Sequence, residues 1–181
     1  MMERKIIISG FGGQGIIALG KFIALTAMMS GKNVTYLPSY GAEVRGGTAN
    51  CQVTVSDEHI ASPCIEEADI LLAMNQPSLN KFAGAVKDGG LILTNSSLGT
   101  ARPENSGKIY SIPATDMAVE LGEIKVANVI ALGALLSIDE FLPVPMVRKN
   151  FSAVLKHKGK GIIDLNLKAL GCGLGFKFDK S

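Results

Sequence analysis

Apolar residues along this chain come in short runs separated by glycine, asparagine, serine and proline, and the period of each run predicts an element. Residues 5–9 (KIIIS) form a continuous apolar stretch of strand length and predict a fully buried strand. Ile16–Met29 is an apolar run of helix length closed by Ser30-Gly31, with Gly31 suited to a helix C-cap. Residues 33–37 (NVTYL) predict a second strand. Strand, turn, helix and strand in that order make a βαβ unit, and its crossover helix implies parallel pairing. Residues 48–55 alternate instead. Ala49, Cys51, Val53 and Val55 share one face; Thr48, Asn50, Gln52 and Thr54 share the other. Period two with a neutral polar face predicts a half-exposed strand, antiparallel or at an edge, with 60–62 as a short hairpin return.

Further strands are expected at 69–74, at 91–95 after the turn Asp88-Gly89-Gly90, and at Lys108–Ile112. Helices are expected at 77–86 with Asn75 or Gln76 near its start, and at 115–121 with Thr115 as N-cap. Residues 126–138 make a strongly apolar buried helix. Residues 144–157 make an amphipathic one with Pro145 in its first turn, 162–170 a last short helix, and 171–181 a tail. Residues 96–107 suit a surface loop. The expected fold is α/β: a three-layer, mostly parallel Rossmann-like sheet with an antiparallel strand or hairpin addition, in one domain over 1–181.

Composition narrows the classes. The chain has 181 residues, 47% hydrophobic and 19% charged, which is globular and outside the disordered range. Mean hydropathy is +0.29, high for a soluble domain, and implies a buried sheet plus surface hidden by partner subunits. There is no uncharged apolar stretch of about 18 residues, so no membrane span is expected. Eighteen Lys and Arg against sixteen Asp and Glu leave +2, too balanced for a nucleic-acid partner. Met1-Met2-Glu3-Arg4-Lys5 runs straight into a strand with no signal-peptide pattern, so a cytoplasmic location is expected. Cys51, Cys64 and Cys172 form no C-x-x-C pair, and with His59 and His157 as the only histidines the chain offers no zinc or cluster site; free thiols are expected.

Gly10-Phe11-Gly12-Gly13-Gln14-Gly15 satisfies G-x-G-x-x-G after a strand and before a helix. Glycine lets backbone approach a ligand closely, and a helix N-terminus offers unpaired N–H groups and partial positive charge. Two readings stay open: an anion or nucleotide cradle, or a tight turn needed only for helix–sheet packing. The second strand runs out through Leu37-Pro38-Ser39 without the acidic residue that would hold a ribose, which counts against an NAD(P)-dependent dehydrogenase. The segment Pro38-Ser39-Tyr40-Gly41-Ala42-Glu43-Val44-Arg45-Gly46-Gly47 should lie beside the first turn, at the carboxyl end of the second strand. Arg45 suits a phosphate or carboxylate, and Glu43 a partner subunit or Arg45 itself; an internal ion pair bracing the loop is the alternative.

The stretches GFGGQGIIALGK, PSYGAEVRGGTANCQVTVSD and ADILLAMNQPSLNKF together resemble the gamma subunit of 2-oxoacid:ferredoxin (acceptor) oxidoreductases. The resemblance covers most of the chain and weakens after about residue 96. The tyrosine–glycine–alanine–glutamate form of the second loop is most like the 2-oxoglutarate enzymes; pyruvate-type subunits tend to carry phenylalanine and proline there, and indolepyruvate-type subunits histidine. The resemblance implies an enzyme that decarboxylates a 2-oxoacid on thiamine diphosphate, passes electrons through iron–sulfur clusters to ferredoxin or another acceptor, and transfers the acyl group to coenzyme A. Thiamine diphosphate and the clusters would belong to alpha, beta and possibly delta (ferredoxin-like) partners. This chain would be non-catalytic and inactive alone. Its two glycine-rich loops, through Gly10, Gly12, Gly13, Gln14, Gly15, Tyr40, Gly41, Glu43, Arg45, Gly46 and Gly47, would face the catalytic subunits and contact coenzyme A. The other class kept in view is a stand-alone nucleotide-binding or regulatory module.

Three features carry paired readings. Asn75 and Asn95 end strands, and either line the crevice or cap the following turns. Arg148, Lys149, Lys156, Lys158 and Lys160 make the late region basic, either as a docking patch for acidic ferredoxin or as a solvated helix face. The polar face of residues 48–55 lies against a partner or against water.

Overall fold

The computed structural model describes residues 2–39, 48–99 and 107–178. Six strands form one mixed sheet in the order β2-β3-β1-β4-β5-β6: β1 Glu3–Phe11, β2 Asn33–Ser39, β3 Thr48–Ser56, β4 Ala68–Ala73, β5 Val86–Asn95 and β6 Lys108–Ile112. Among the described residues six α-helices accompany them: α1 Ile16–Met29, α2 Gln76–Phe82, α3 Ala114–Glu120, α4 Ala127–Ile138, α5 Val144–Val154 and α6 Lys160–Leu174. The expected α/β class with an antiparallel addition is borne out.

The pairing of the first two strands is corrected. β1 and β2 do not pair; β3 lies between them, antiparallel to both, with Ile6 opposite Val53 and Tyr36 opposite Val53. The crossover through α1 is long enough to skip one strand position, and the next segment of chain returns to fill it. β3 is therefore internal, and Cys51, Val53 and Val55 are fully buried. Its polar face is buried too, with Thr54 at 1% and Asn50 at 8% exposure. No hairpin return forms at 60–62, because both sides of β3 are already taken. Further on, Ile65 is buried and its N–H donates to Gln52 Oε1 on the polar face at 2.7 Å.

On one face, Ile6, Ile8, Ile70, Leu72 and Leu93 pack against α1, α4 and the residues after them. On the other, Ile7, Leu71 and Ile92 meet Leu79 and Ala83 at α2 and Ile65. The layers are unequal: five helices are needed on one side and one on the other. α1 has the expected bounds and ends at Gly31 with φ +77°. The last helix is longer than expected. α6 starts at Lys160 and runs through Gly171 and Gly173; at Gly173 it crosses α4 too closely for a side chain, since a Cβ there would stand 2.0 Å from the Ile130 carbonyl oxygen. The amphipathic helix ends at Val154, and a separate 3-10 turn covers Lys156–Lys158. Among the described residues no helix is long and apolar enough to cross a membrane.

Candidate functional site

The carboxyl ends of β1, β2, β4, β5 and β6 lie along one edge of the molecule. β3 begins there as well, since Thr48 is opposite Phe11. α1 leaves β1 toward one face and α2 leaves β4 toward the other, so the chain diverges between these two neighbours. A crevice forms at such a switch point, and the Gly10–Gly15 turn occupies it. The second candidate loop is tied to the same edge through its flanks, Ser39 and Thr48. Tyr40, Gly41, Glu43, Arg45, Gly46 and Gly47 lie outside the described residues.

The turn divides into braced and open positions. Gln14 folds back: its Oε1 accepts from the Phe11 N–H at 2.6 Å and from Asn75 Nδ2 at 3.0 Å, and its Nε2 donates to the Met74 carbonyl at 3.2 Å. It holds β1 to β4 and also lines the cleft beside the turn. A Cβ on Gly10 would stand 2.6 Å from Gln14 Oε1 and 2.7 Å from Ile16 Cδ1. Gly15 is left-handed at φ +72°, and a Cβ there would stand 2.4 Å from Asn128 Nδ2. Asn128 donates to the Gly15 carbonyl at 3.2 Å, while its Oδ1 is buried without a partner. Gly12 differs. It is exposed, has no positive φ, and nothing stands within 4 Å of where a Cβ would be. Gly13 is also exposed and open, with φ +96°. Both precede α1, whose N-cap Gly15 supplies no side-chain acceptor and whose first turn holds no acidic residue.

Asn75 caps the turn that follows it, whereas Asn95 makes no side-chain bond to its own following turn. Asn75 Oδ1 accepts the Ser78 N–H at the start of α2. Asn95 reaches across to α3, its Nδ2 donating to Thr115 Oγ1 at 2.8 Å and its Oδ1 accepting the Thr115 N–H. Thr115 is therefore held by Asn95 and is not the expected N-cap; that position is Pro113. Between these elements lies a cleft of about 130 Å³ lined by Gly13, Gln14, Met74, Leu98, Thr115, Ile124, Lys125 and Ala127. Lys125 is exposed and forms no ion pair among the described residues. No motif marks it; the available signal is that it is the last charge before the uncharged run 126–138. Leu98 and Ile124 on the same rim are 44% and 57% exposed.

His59 and His157 are both exposed, and neither lines the cleft beside the turn. Cys51 is buried against α1, and burial pushes its thiol up to about 12. Among the described residues no three His, Cys, Asp or Glu side chains come together.

The family model described as pyruvate ferredoxin/flavodoxin oxidoreductase matches residues 5–176. The ketoisovalerate oxidoreductase subunit VorA of Methanothermobacter marburgensis is 37% identical over 176 residues, covering 94% of this chain. This chain spans only 36% of that relative's length. The 2-oxoglutarate synthase subunit KorC of Methanocaldococcus jannaschii is 36% identical over 178 residues, covering 95% of this chain and 92% of that one. Among solved structures, the gamma subunit of a keto/oxoacid ferredoxin oxidoreductase from Geobacter sulfurreducens superposes with a TM-score of 0.84 at 30% identity, covering 96% and 95% of the two chains. The 2-oxoglutarate:ferredoxin oxidoreductase of Magnetococcus marinus, with 2-oxoglutarate, coenzyme A and succinyl-CoA bound, gives 0.89 at 26% identity, covering 96% of this chain and 31% of that one. The family resemblance read in the sequence is borne out.

Proposed function

We propose a function from one premise: the chain belongs to the pyruvate ferredoxin/flavodoxin oxidoreductase family. It acts as the gamma subunit of an assembly that converts a 2-oxoacid, coenzyme A and an oxidised acceptor to an acyl-CoA, carbon dioxide and the reduced acceptor. Of the family's 2-oxoacids we favour 2-oxoglutarate. The KorC relative matches end to end as a chain of this size, whereas VorA, equally similar, carries the matching region within a longer chain. Thiamine diphosphate and iron–sulfur clusters sit on alpha, beta or delta partners, and ferredoxin or another carrier takes the electrons from them.

This chain's part is to build the side of the entrance that receives coenzyme A. The observation that carries this reading is the open pair Gly12 and Gly13, which the fold does not need for packing at Gly12, set against an uncapped helix N-terminus. Coenzyme A supplies the thiol that accepts the acyl group, and its phosphates suit that position: N–H donors of the first turn of α1, no acidic residue within that turn, and Lys125 on the same rim. The exposed apolar rim of Leu98 and Ile124 is suited to contact with the larger partners. Arg45 and Glu43, outside the described residues, stay candidates for the same rim on the sequence argument alone.

The test is Lys125→Ala and Arg45→Ala in the assembled enzyme. Each should raise the Michaelis constant for coenzyme A by about tenfold, roughly 1.4 kcal/mol, with little change in kcat. If both variants assemble and both keep the wild-type constant, this chain does not hold coenzyme A.

A further inference from the structure

The charge of this chain is polarised. Between Val144 and Lys168 there are six cations, Arg148, Lys149, Lys156, Lys158, Lys160 and Lys168, against one carboxylate, Asp164. The rest of the chain holds twelve Lys and Arg against fifteen Asp and Glu. All six cations are exposed, and none forms an ion pair among the described residues. Arg148 and Lys149 share the outward face of α5 with Ser152, and the lysines continue over the 3-10 turn onto α6.

Helix stability explains only part of this. Lys156, just past the end of α5, sits where a cation is favoured. Lys158 and Lys160 stand at the amino end of α6, where the helix dipole opposes them. No acid lies in the first turn of α6, and its cap, Gly159, has no side-chain acceptor. The local potentials of the lysines and of the helix end therefore add.

This basic ridge borders a groove of about 370 Å³. Its floor is the stacked pair Phe22 and Phe151, with ring centroids 4.0 Å apart, and its walls include Leu19, Val129 and Val154. Lys158 and His157 stand on its rim, and Val154 is 38% exposed. An apolar slot edged by unpaired cations fits a polypeptide whose surface is acidic and which presents an apolar side chain. A small anion would use two or three of these charges; the spread from Arg148 to Lys168 matches an extended surface.

We infer that this face docks an acidic segment of a partner subunit, with one of its apolar side chains seated in the groove between α1, α4 and α5. The inference rests on reading the chain as a subunit of a larger assembly, and it adds a second contact beyond the coenzyme A rim.

The test is reconstitution of the complex from its separated subunits with the full-length chain, followed by light scattering at low and high salt. Lys156→Glu/Lys158→Glu/Lys160→Glu should slow association at least about tenfold at low salt, and the difference should shrink as salt rises. Val154→Asp, at the groove, should weaken the complex at every salt concentration. Both variants should keep the wild-type circular dichroism spectrum, since all four side chains are exposed. If the wild-type chain assembles and the triple variant assembles equally fast at low salt, the inference is overturned while the subunit reading stands. That holds even if reduction of an acidic carrier protein is slowed, because the face then serves the carrier. If the wild-type chain does not assemble at all, both fail.

Discussion

Substituting the glycines of the first turn one at a time separates the two roles that the turn combines. Gly15→Ala places a side chain at φ +72°, which costs about 1–2 kcal/mol. Its Cβ also meets Asn128 Nδ2 at 2.4 Å, so the amide must move and give up its bond to the Gly15 carbonyl. Asn128 Oδ1 has no partner already, so nothing else in its surroundings anchors the displaced group. A lost buried hydrogen bond adds about 1–3 kcal/mol. The total is roughly 2–5 kcal/mol, a fall in Tm of about 5–15 °C for a chain of this size. Gly12→Ala should shift Tm by no more than about 1–2 °C, because its backbone is not left-handed and its Cβ meets nothing. In the assembled enzyme the order should reverse for coenzyme A: Gly12→Leu, which crowds the open rim, should raise its Michaelis constant, with Tm held near wild type. Thermal melts of the purified chain and initial-rate kinetics of the complex measure the two effects. A Gly12→Ala melt as low as that of Gly15→Ala would refute the division of roles. A wild-type Michaelis constant in Gly12→Leu would refute the contact with coenzyme A.

Three other outcomes are expected. Gly133→Ala and Gly173→Ala should each destabilise the chain by about 2 kcal/mol or more despite better helix propensity, since the new Cβ atoms would stand 2.3 Å from the Leu170 oxygen and 2.0 Å from the Ile130 oxygen; the double variant should cost less than the sum in denaturant melts, because one separation of the helices relieves both. Cys51, its thiol raised to about 12 by burial, should resist alkylation at mild alkaline pH while exposed Cys64 reacts, as peptide mass spectrometry before and after unfolding will show. Asp57 is held below the usual aspartate range, first by Lys32 and then by the Met2 N–H, so its stabilising contribution is complete at neutral pH and is lost as pH falls below about 4; Asp57→Asn should flatten that acid limb of Tm against pH.

Much of the sheet is legible locally. Runs such as Ile6-Ile7-Ile8 and Leu71-Leu72 are apolar because both faces of those strands are covered, and α1 announces itself by length and by Gly31. β3 is not legible in its position. Its alternation is that of a strand with one wet face, yet Thr54 and Asn50 are buried because β2 and the stretch around Ile65 close over them. Nothing within 48–56 encodes that cover. The end of α6 fails for a similar reason: Gly171 and Gly173 read as a break, and only the crossing with α4 makes glycine the residue the helix needs at 173. At the site, the Gly10–Gly15 pattern marks the turn, but the bracing of Gln14 by Met74 and Asn75, some sixty positions on, is not legible within it. Lys125 carries no motif and becomes visible only when the start of α4 is seen beside the turn.

The chemistry of the bracing groups bears on what the rim can hold. Gln14, Asn75, Asn95 and Asn128 tie β1, β4, β5, α3 and α4 together through side-chain amides. Carboxylates could accept most of the same N–H bonds, and at helix starts they cap as well as asparagine. They would also place negative charge within a few ångströms of the start of α1 and cancel much of its partial positive charge. Amides supply both donor and acceptor, so they satisfy carbonyls such as Met74 and Gly15 as well as N–H groups, and they leave the potential of the helix end intact. The amides that brace the turn itself are thus uncharged, and Lys125 is the one charged residue among the described residues lining the cleft, while the Glu123 carboxylate accepts the Lys125 N–H behind it. On the function proposed above, uncharged amides around the turn leave the start of α1 open to an anionic ligand, which carboxylates in the same places would oppose.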